Sequence, residues 1–472
     1  MSVHDQGRGT LVVNGTGLYP AVGVEAGEVP AVGPAGARLL TGAIRATGLD
    51  TALSRALESW RRPLAVHDPG KIIVDLALCA ALGGRALSDL AVLRGQGELF
   101  GPVASDPTVC RLIKTLAGDA DAVEAAVEAA RGEVRRRVWS LAGEHSPAAG
   151  ISAASPLVID VDATLVEAHS AKEGAAPTFK GGFGYHPLTA WFDHGPHGAG
   201  ECAAIMLRPG NAGANTAADH IEIIRRALDQ AGLGSRPGRK VLVRIDGAGG
   251  TKRTVGFLTR RRVSYSVGFK LPDHTPDIYA AIPKTAWAPA RNADGDPREG
   301  ADVAEITDLL DLTGWPEGMR VIMRREKPHP GARLRFDDVG GYRLTAFATN
   351  TRRGRLPGLE LRHRLRARCE DRIRCAKDTG LGSFPLQGLA ANRIWCQIVA
   401  LAHDLLAWSQ LLALTGHRAR RWEPRTIRLR LMHIPATIAR HARRVVLRYR
   451  ADHPWTRLLL QGIGRLQTLP AP

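Results

Sequence analysis

Cysteine is scarce in this chain: six residues in 472, at positions 79, 110, 202, 369, 375 and 396. None forms a CxxC pair or stands beside a histidine at metal-ligand spacing. That pattern excludes a zinc finger and a disulfide frame, and fits reduced thiols in a cytoplasmic protein. The N-terminus, MSVHDQGRGT, lacks the apolar core of a secretion signal. No long apolar run is unbroken. The longest, from Ile394 to Leu414, carries Gln397, His403, Asp404, Ser409 and Gln410, and reads as a buried helix rather than a membrane span.

Carboxylates are short in one region only. Residues 351–472 hold 24 Lys and Arg against 7 Asp and Glu, whereas residues 1–350 hold 40 against 39. Almost the whole net charge of +18 therefore sits in the C-terminal quarter. A one-sided field of that size attracts a polyanion, with nucleic acid the first candidate. No basic amphipathic helix with an aromatic face argues for a membrane instead. At 44% apolar and 23% charged, the chain is a soluble globular protein, long enough for two or three domains.

Periodicity divides it. Residues 1–45 read as a loosely ordered arm with at most one short strand. Residues 46–145 read as a helical domain, with helices over 50–60, 71–82, 87–95, 106–116 and 119–142. Asp106 is the expected cap of the fourth, with Pro107 at its first helical position. ALSDLAVLRG followed by SDPTVCRLIKTL is a candidate DNA-reading helix pair, and a plain helical bundle is the favoured alternative. EHSPAAGISAASP, residues 144–156, is a linker by composition.

Beyond it the period changes. Pro156–Thr164 is a buried strand ending in acids; strands at 188–193 and 201–208 follow, then a helix over 216–231 capped by Asn215. Val241–Ile245 is a strand that stops at Asp246, before the turn GAGG, a short helix near 253–260 and a strand at 263–269. Residues 271–357 read as a β-rich insertion with strands at 320–325, 332–336 and 342–349. LELRHRLRARCEDRIRCAKDTG, residues 359–380, reads as one closing helix stopped by Gly380. At about 100° per residue, His363, Arg366, Glu370, Arg374 and Lys377 share one face of it. Leu361, Leu365, Cys369, Ile373 and Ala376 form the opposite, apolar stripe. Helices at 392–414 and about 435–449 follow, joined by the Arg-rich segment 417–430.

Asp162 and Asp246 each end a core strand, and Glu370 stands on the exposed face of the closing helix. Hard divalent cations such as Mg²⁺ take oxygen ligands. Three converging carboxylates suit two such ions about 3.5–4 Å apart, the arrangement that stabilises attacking and leaving oxygens in phosphoryl transfer. Taken singly, each Asp is as well explained as a strand-end cap. GAGG is not a P-loop, since no Gly-Lys-Ser/Thr follows; its small residues are expected to leave room for DNA. His169, Lys172, Lys180 and His186 lie in the loop after the first acidic strand, where solvated residues are the default.

The stretches DATLVEAHSAKEGA, FKGGFGYHPL, LRPGNAGANTAADH, VRIDGAGG, YSVGFKLP, GWPEGMRVIMRREKPHPGA, TAFATNT and RCEDRIRCAKDTGL carry a resemblance. With them, over most of residues 70–415, the chain resembles bacterial insertion-sequence transposases with an RNase H-like DDE core, the group-1 DDE transposases above all. In that group a β-insertion separates the second Asp from the Glu. The signature Tyr-x2-Arg-x3-Glu-x6-Lys of related cut-and-paste transposases falls on His363, Arg366, Glu370 and Lys377, with His in place of Tyr. The Asp-x-Thr pattern favours Asp162, with Asp160 the alternative two residues earlier on the same strand face.

The expected fold is α/β. It has an RNase H-like mixed sheet over 156–270 and 358–415 with helices on both faces, the β-rich insertion at 271–357, and a basic helical region at 416–472. The expected activity is cleavage at transposon ends and strand transfer into target DNA, with two Mg²⁺ or Mn²⁺ ions on Asp162, Asp246 and Glu370. His363, Arg366, Arg374 and Lys377 are expected to neutralise phosphates, and Trp287 and Trp315 to stack on an extruded base. The partners are the terminal inverted repeats, target DNA and a second copy of the chain, in the cytoplasm at the nucleoid and away from membranes. An RNase H-like nuclease without strand transfer, and a non-catalytic DNA-binding derivative, remain as rivals.

Overall fold

The structure, a computed structural model, describes residues 30–169, 171–234, 236–328, 331, 338–442 and 444–472. Most of the expected arm, and the strand expected at 332–336, lie outside the described residues.

Nine of the described strands form one sheet. The acidic strand β1 (Leu157–Ala163) lies third from one edge, antiparallel to β2 (Leu188–Asp193), which pairs with β3 (Glu201–Met206). On its other side β4 (Val241–Ile245) runs parallel to β1, and β5 (Ser264–Phe269) parallel to β4. The order β3-β2-β1-β4-β5 is the expected RNase H-like mixed sheet. The insertion then continues it. Strands β6 (Ala288–Arg291), β7 (Pro297–Glu305), β8 (Arg320–Glu326) and β9 (Arg343–Thr349) form a meander whose last strand pairs antiparallel with β5.

Among the described residues, five helices of eight residues or more precede the sheet: α1 (Arg38–Thr47), α2 (Leu49–Ala56), α3 (Pro69–Ala81), α4 (Asp106–Ala117) and α5 (Ala120–Ala142). The first corrects the expectation of an arm to residue 45. Leu39, Leu40, Ala43, Ile44 and Thr47 recur at helical spacing and are all buried. The cap of α4 is Ser105, one residue early, because the Asp106 carboxylate is taken by Arg94 Nη2 at 2.5 Å. Within the sheet domain, α6 (Ala217–Ala231) starts after Thr216 rather than Asn215, and α7 (Lys252–Arg260) precedes β5.

The closing helix is not one helix. It is α8 (Leu356–Arg364), a tight 3₁₀ turn at Leu365–Ala367, and α9 (Arg368–Ala376), with Gly380 at φ +103° beyond. Arg244 Nη1 donates to the Arg362 carbonyl at 3.0 Å just where the turn tightens. The apolar run becomes α10 (Leu389–Ala413), long and apolar enough to cross a bilayer by composition, but wholly buried within the fold. It lies against α3, α4, α5 and β3, so the N-terminal helices and the sheet share one hydrophobic cluster.

The expected helix at 435–449 is a hairpin, β10 (Ala436–His441) and β11 (Arg444–Tyr449), with Ala31–Val32 added at its edge. Thr437, Ile438, Val445 and Val446 are β-branched, and Ala442 turns the chain at φ +51°. A last helix, α11 (Thr456–Gln467), follows.

Candidate active site

Strand register brings the two aspartates together. Val161 of β1 pairs with Ile245 of β4 in parallel register, so Asp162 and Asp246, each one residue further, stand side by side at the strand ends. Period two places Asp160, Asp162, Arg244 and Asp246 on one sheet face. Helix α9 lies across that face, with Cys369, Ile373 and Ala376 buried as expected and Glu370 turned outward.

What seats α9 is a buried charge network. Asp160 is fully buried and accepts from Arg244 Nε at 2.6 Å, Arg244 Nη2 at 2.8 Å and Arg372 Nη1 at 3.1 Å. Asp193, at the end of β2, accepts from Arg372 Nη2 at 2.6 Å, Arg244 Nη2 at 2.7 Å and Arg368 Nη1 at 3.3 Å. Burial raises the Asp193 carboxyl, but Arg372, Arg244 and Arg368 outweigh it and hold that group well below the usual carboxylate range. Sequence reasoning missed Asp193, Arg244 and Arg372. A signal was present, since an arginine inside the apolar strand VLVRI must find a carboxylate once buried.

Asp160 is thus consumed, and Asp162 is the available acid. Asp162 Oδ1 accepts from Ala163 N at 2.8 Å, and Oδ2 pairs with Arg366 Nη1 at 3.1 Å. The same guanidinium reaches Glu370 Oε1 through Nη2 at 3.6 Å and so bridges the two acids. Burial pushes the Asp162 carboxyl up to about 6; Asp246 and Glu370 add to the rise, and Arg366 and the Ala163 amide oppose it. Asp246 Oδ1 accepts from Ala248 N at 3.1 Å and Gly249 N at 3.3 Å, which fixes its rotamer. Of the glycines around it, Gly247 faces open space in the cleft, whereas Gly250 and Gly268 serve close packing. A Cβ on Gly250 would meet Gly268 O at 2.1 Å, and one on Gly268 would meet Gly247 N at 2.4 Å.

Among the described residues no three His, Cys, Asp or Glu side chains are already gathered as metal ligands. Two of the carboxylates, Asp162 and Glu370, instead share the Arg366 guanidinium, which holds cationic charge between them. With Asp246 beside Asp162, the three hard oxygen donors fit Mg²⁺ or Mn²⁺ in donor type.

The other expected residues divide. His363 is half-buried, stacked on Phe347 at 4.5 Å with rings 8° apart, and its Nδ1 lies 3.0 Å from Ser266 Oγ. Burial, then Arg366 and Arg244, push its imidazole down to about 3, so it is a neutral wall residue and not the expected cation. Arg374 is paired with Glu423 at 2.7 Å. Lys377 Nζ donates to Leu165 O at 2.8 Å, three residues after Asp162. Trp287 is half-buried between Tyr279 and Arg325, with the guanidinium carbon 4.2 Å from the ring centre. Trp315 is half-buried against Phe269 at 5.2 Å. Lys172 donates to Phe384 O, and His186 is buried beside Ala212 O. Beside Asp246 a cleft of about 1080 Å³ opens, walled by Lys270, Thr345, His363 and Arg366 among others.

No functionally curated protein matches the chain. Among solved structures, one similar chain is the piggyBac transposase in the cryo-EM structure of its synaptic complex with hairpin DNA. The TM-score is 0.40 and the identity 10%, over 84% of this chain and 80% of that one. The sequence also matches the family described as transposase DDE domain group 1, over residues 26–471. That match spans the five-stranded core, the insertion and the basic C-terminal region together, and the chain belongs to this family of DDE transposases.

Proposed function

We propose that this transposase cuts phosphodiester bonds at the ends of its element and joins the freed 3′-hydroxyl to target DNA, using Asp162, Asp246 and Glu370. The observation that carries the reading is the side-by-side placement of Asp162 and Asp246, with Glu370 tied to Asp162 through Arg366. Asp162, Asp246 and Glu370 would hold Mg²⁺ or Mn²⁺, which when bound supplies charge stabilisation and a water nucleophile at neutral pH. Arg366 and Lys377 then face the phosphates flanking the scissile bond. Arg374 reaches DNA only by leaving Glu423. His363 orients through Ser266 and carries no charge. The test is cleavage of labelled duplexes spanning the flanks of the gene, with Mg²⁺, Mn²⁺ or chelator. Wild-type protein that binds the flanks yet never cuts with either metal would leave the DNA-binding rival in its place.

Protons and metal compete for Asp162. Its carboxyl titrates near 6, so the ionised form that binds metal is lost as pH falls through that value. At limiting Mg²⁺, cleavage is expected to decline with a midpoint near pH 6, and saturating Mg²⁺ should move the midpoint lower. The sign for stability is opposite: with a raised carboxyl, metal-free protein gains stability from Asp162 as pH falls through about 6. A midpoint indifferent to Mg²⁺ concentration would remove Asp162 from the metal site.

The basic C-terminal hairpin supplies grip on the DNA backbone. Residues 436–450 contain no Asp or Glu, and Arg444 and Arg448 project from one exposed face. Replacing both by Ala is expected to weaken binding equally for flank and unrelated duplexes. The slope of log K against log salt should fall by about 2, near 0.9 per phosphate contact. An unchanged slope would assign the grip elsewhere. We further propose that two copies assemble on paired ends, in the cytoplasm at the nucleoid.

A further inference from the structure

After Asp162 the chain builds a small, rigid sheet. Ala176–Pro177 pairs with Phe183–Tyr185, which pairs in turn with Val166–Glu167. The tip is closed by Thr178 N donating to Gly182 O at 2.8 Å and Gly181 N to Thr178 O at 3.0 Å, with Gly181 at φ +80°. Its base is anchored twice. Tyr185 is buried against Phe384 and donates to Glu173 O at 2.8 Å, and Glu173 Oε2 accepts from Leu389 N at 3.0 Å at the start of α10.

What the tip presents is unusual. Phe179 is 69% exposed and Phe183 40%, and among the described residues no other aromatic side chain is classed with the exposed apolar ones. Lys180 Nζ lies 5.8 Å from the centre of the Phe179 ring. One exposed apolar residue needs no explanation. Two phenylalanines and a lysine on a braced turn, in the loop that leaves the Asp162 strand, are a different matter. The Phe179 ring is 5.7 Å from that of His186, itself within electrostatic reach of Asp246. Lys180 is within reach of Lys377, which is bonded to Leu165. Trp287 and Trp315, by contrast, are already occupied by internal partners.

We propose that Phe179 stacks on a nucleobase unpaired next to the scissile phosphate, with Lys180 on the adjoining phosphate and Phe183 flanking the base. An aromatic face accepts any base, and a fixed one loses little entropy on stacking. The reading rests on the proposed function, of which it names the DNA feature engaged. It also explains why a phenylalanine and a lysine share the turn: the ring needs a base, and the base brings a phosphate.

The test compares wild type with Phe179→Ala, Phe179→Trp and Lys180→Ala on duplexes spanning the gene flanks, with 2-aminopurine stepped through the junction. Binding is read in Ca²⁺ by 2-aminopurine fluorescence, and cleavage in Mg²⁺ or Mn²⁺. Loss of stacking should slow cleavage of full duplex by about 10- to 100-fold in Phe179→Ala. Mismatched bases at the junction should restore most of that rate, Phe179→Trp should retain it, and the fluorescence change on binding should vanish in Phe179→Ala alone. Equal cleavage and fluorescence in wild type and Phe179→Ala would overturn the proposal while leaving the transposase chemistry standing. A defect unrelieved by mismatches and accompanied by loss of dimer in sedimentation would overturn it in favour of a contact between copies. Wild type that never cuts, yet shows the fluorescence change that Phe179→Ala lacks, would refute the cleavage reading and keep the stacking.

Discussion

Asp162→Asn, Asp246→Asn and Glu370→Gln are each expected to lower DNA cleavage by at least about a thousandfold, or ~4 kcal/mol of barrier, without loss of stability. The rate falls because each substitution removes a charged oxygen from the set that would hold the metal. Stability holds because none of the three anchors the buried charge network, and Asn at 246 keeps a side-chain oxygen for the Ala248 and Gly249 amides. Glu370 is 64% exposed and its contact with Arg366 is a 3.6 Å surface pair, which contributes little. Asp162 is more telling. Its carboxyl is pushed up to about 6, so at pH 7.5 the ionised form is held at a cost, and Asn should raise the melting temperature. Catalytic loss together with a gain in melting temperature is a signature that a structural residue does not give.

Asp160→Asn separates the two acids of β1. Its carboxylate takes three hydrogen bonds from Arg244 and Arg372, all buried, and removing the charge leaves Asp193 as the one anion the two guanidiniums share. A loss of about 1–3 kcal/mol is expected. Cleavage should persist when the variant is assayed below its lowered melting temperature. A stable Asp160→Asn protein without activity would instead move the first metal ligand two residues upstream.

The chain's periodicity reaches the core strands and two of the three acids because those features are local. An apolar run that stops at Asp162 or Asp246 is visible without knowing what lies beside it. The partnership of Asp160 with Arg244 and Arg372 is not local: it joins β1, β4 and α9 across 84 and 212 positions. So periodicity alone does not separate the two acids of VIDVD, which only the Asp-x-Thr resemblance ranks, and they are opposite in role. The helical wheel rightly sets His363 on the cleft wall with Arg366, but the burial that leaves it neutral is not local either. A 3₁₀ turn at Leu365–Ala367 sets α8 apart from α9, and His363 packs on Phe347 while Glu370 faces out. Trp287 and Trp315 were chosen by residue type, whereas stacking on DNA needs exposure, which sequence does not reveal. The hairpin at 436–449 was read as helix because arginines at every few positions suit a helix face as well as an alternating strand. The insertion was read as β-rich, but its pairing with β5, through Ala346–Thr349, depends on contacts 77 to 83 residues apart.

Asp404→Ala is expected to destabilise the protein by about 3–5 kcal/mol, although it lies away from the active site. Asp404 on α10 is fully buried and pairs with Arg131 Nε at 2.8 Å and Arg135 Nη2 at 2.6 Å, both on α5 and both fully buried. Arg135 continues to Glu201 on β3 at 2.8 Å, where Trp139 and Trp408 also donate. Alanine would leave two guanidiniums in the core without their shared anion, a far greater cost than the net contribution of the ion pair itself. Replacing Arg131 by Met together with Asp404→Leu should therefore recover much of the loss. Urea unfolding distinguishes the possibilities. One transition shifted to lower urea would mean that α5 and the sheet unfold together, with residues 46–145 a fixed part of one body. Two transitions, with only the first shifted, would make those helices a separately folding unit that the network merely docks. No shift would show that water or neighbouring dipoles compensate Arg131 and Arg135 without Asp404. The shared core through α10 favours the single transition, in which the N-terminal helices and the acidic sheet are held in register by buried charge rather than by a linker.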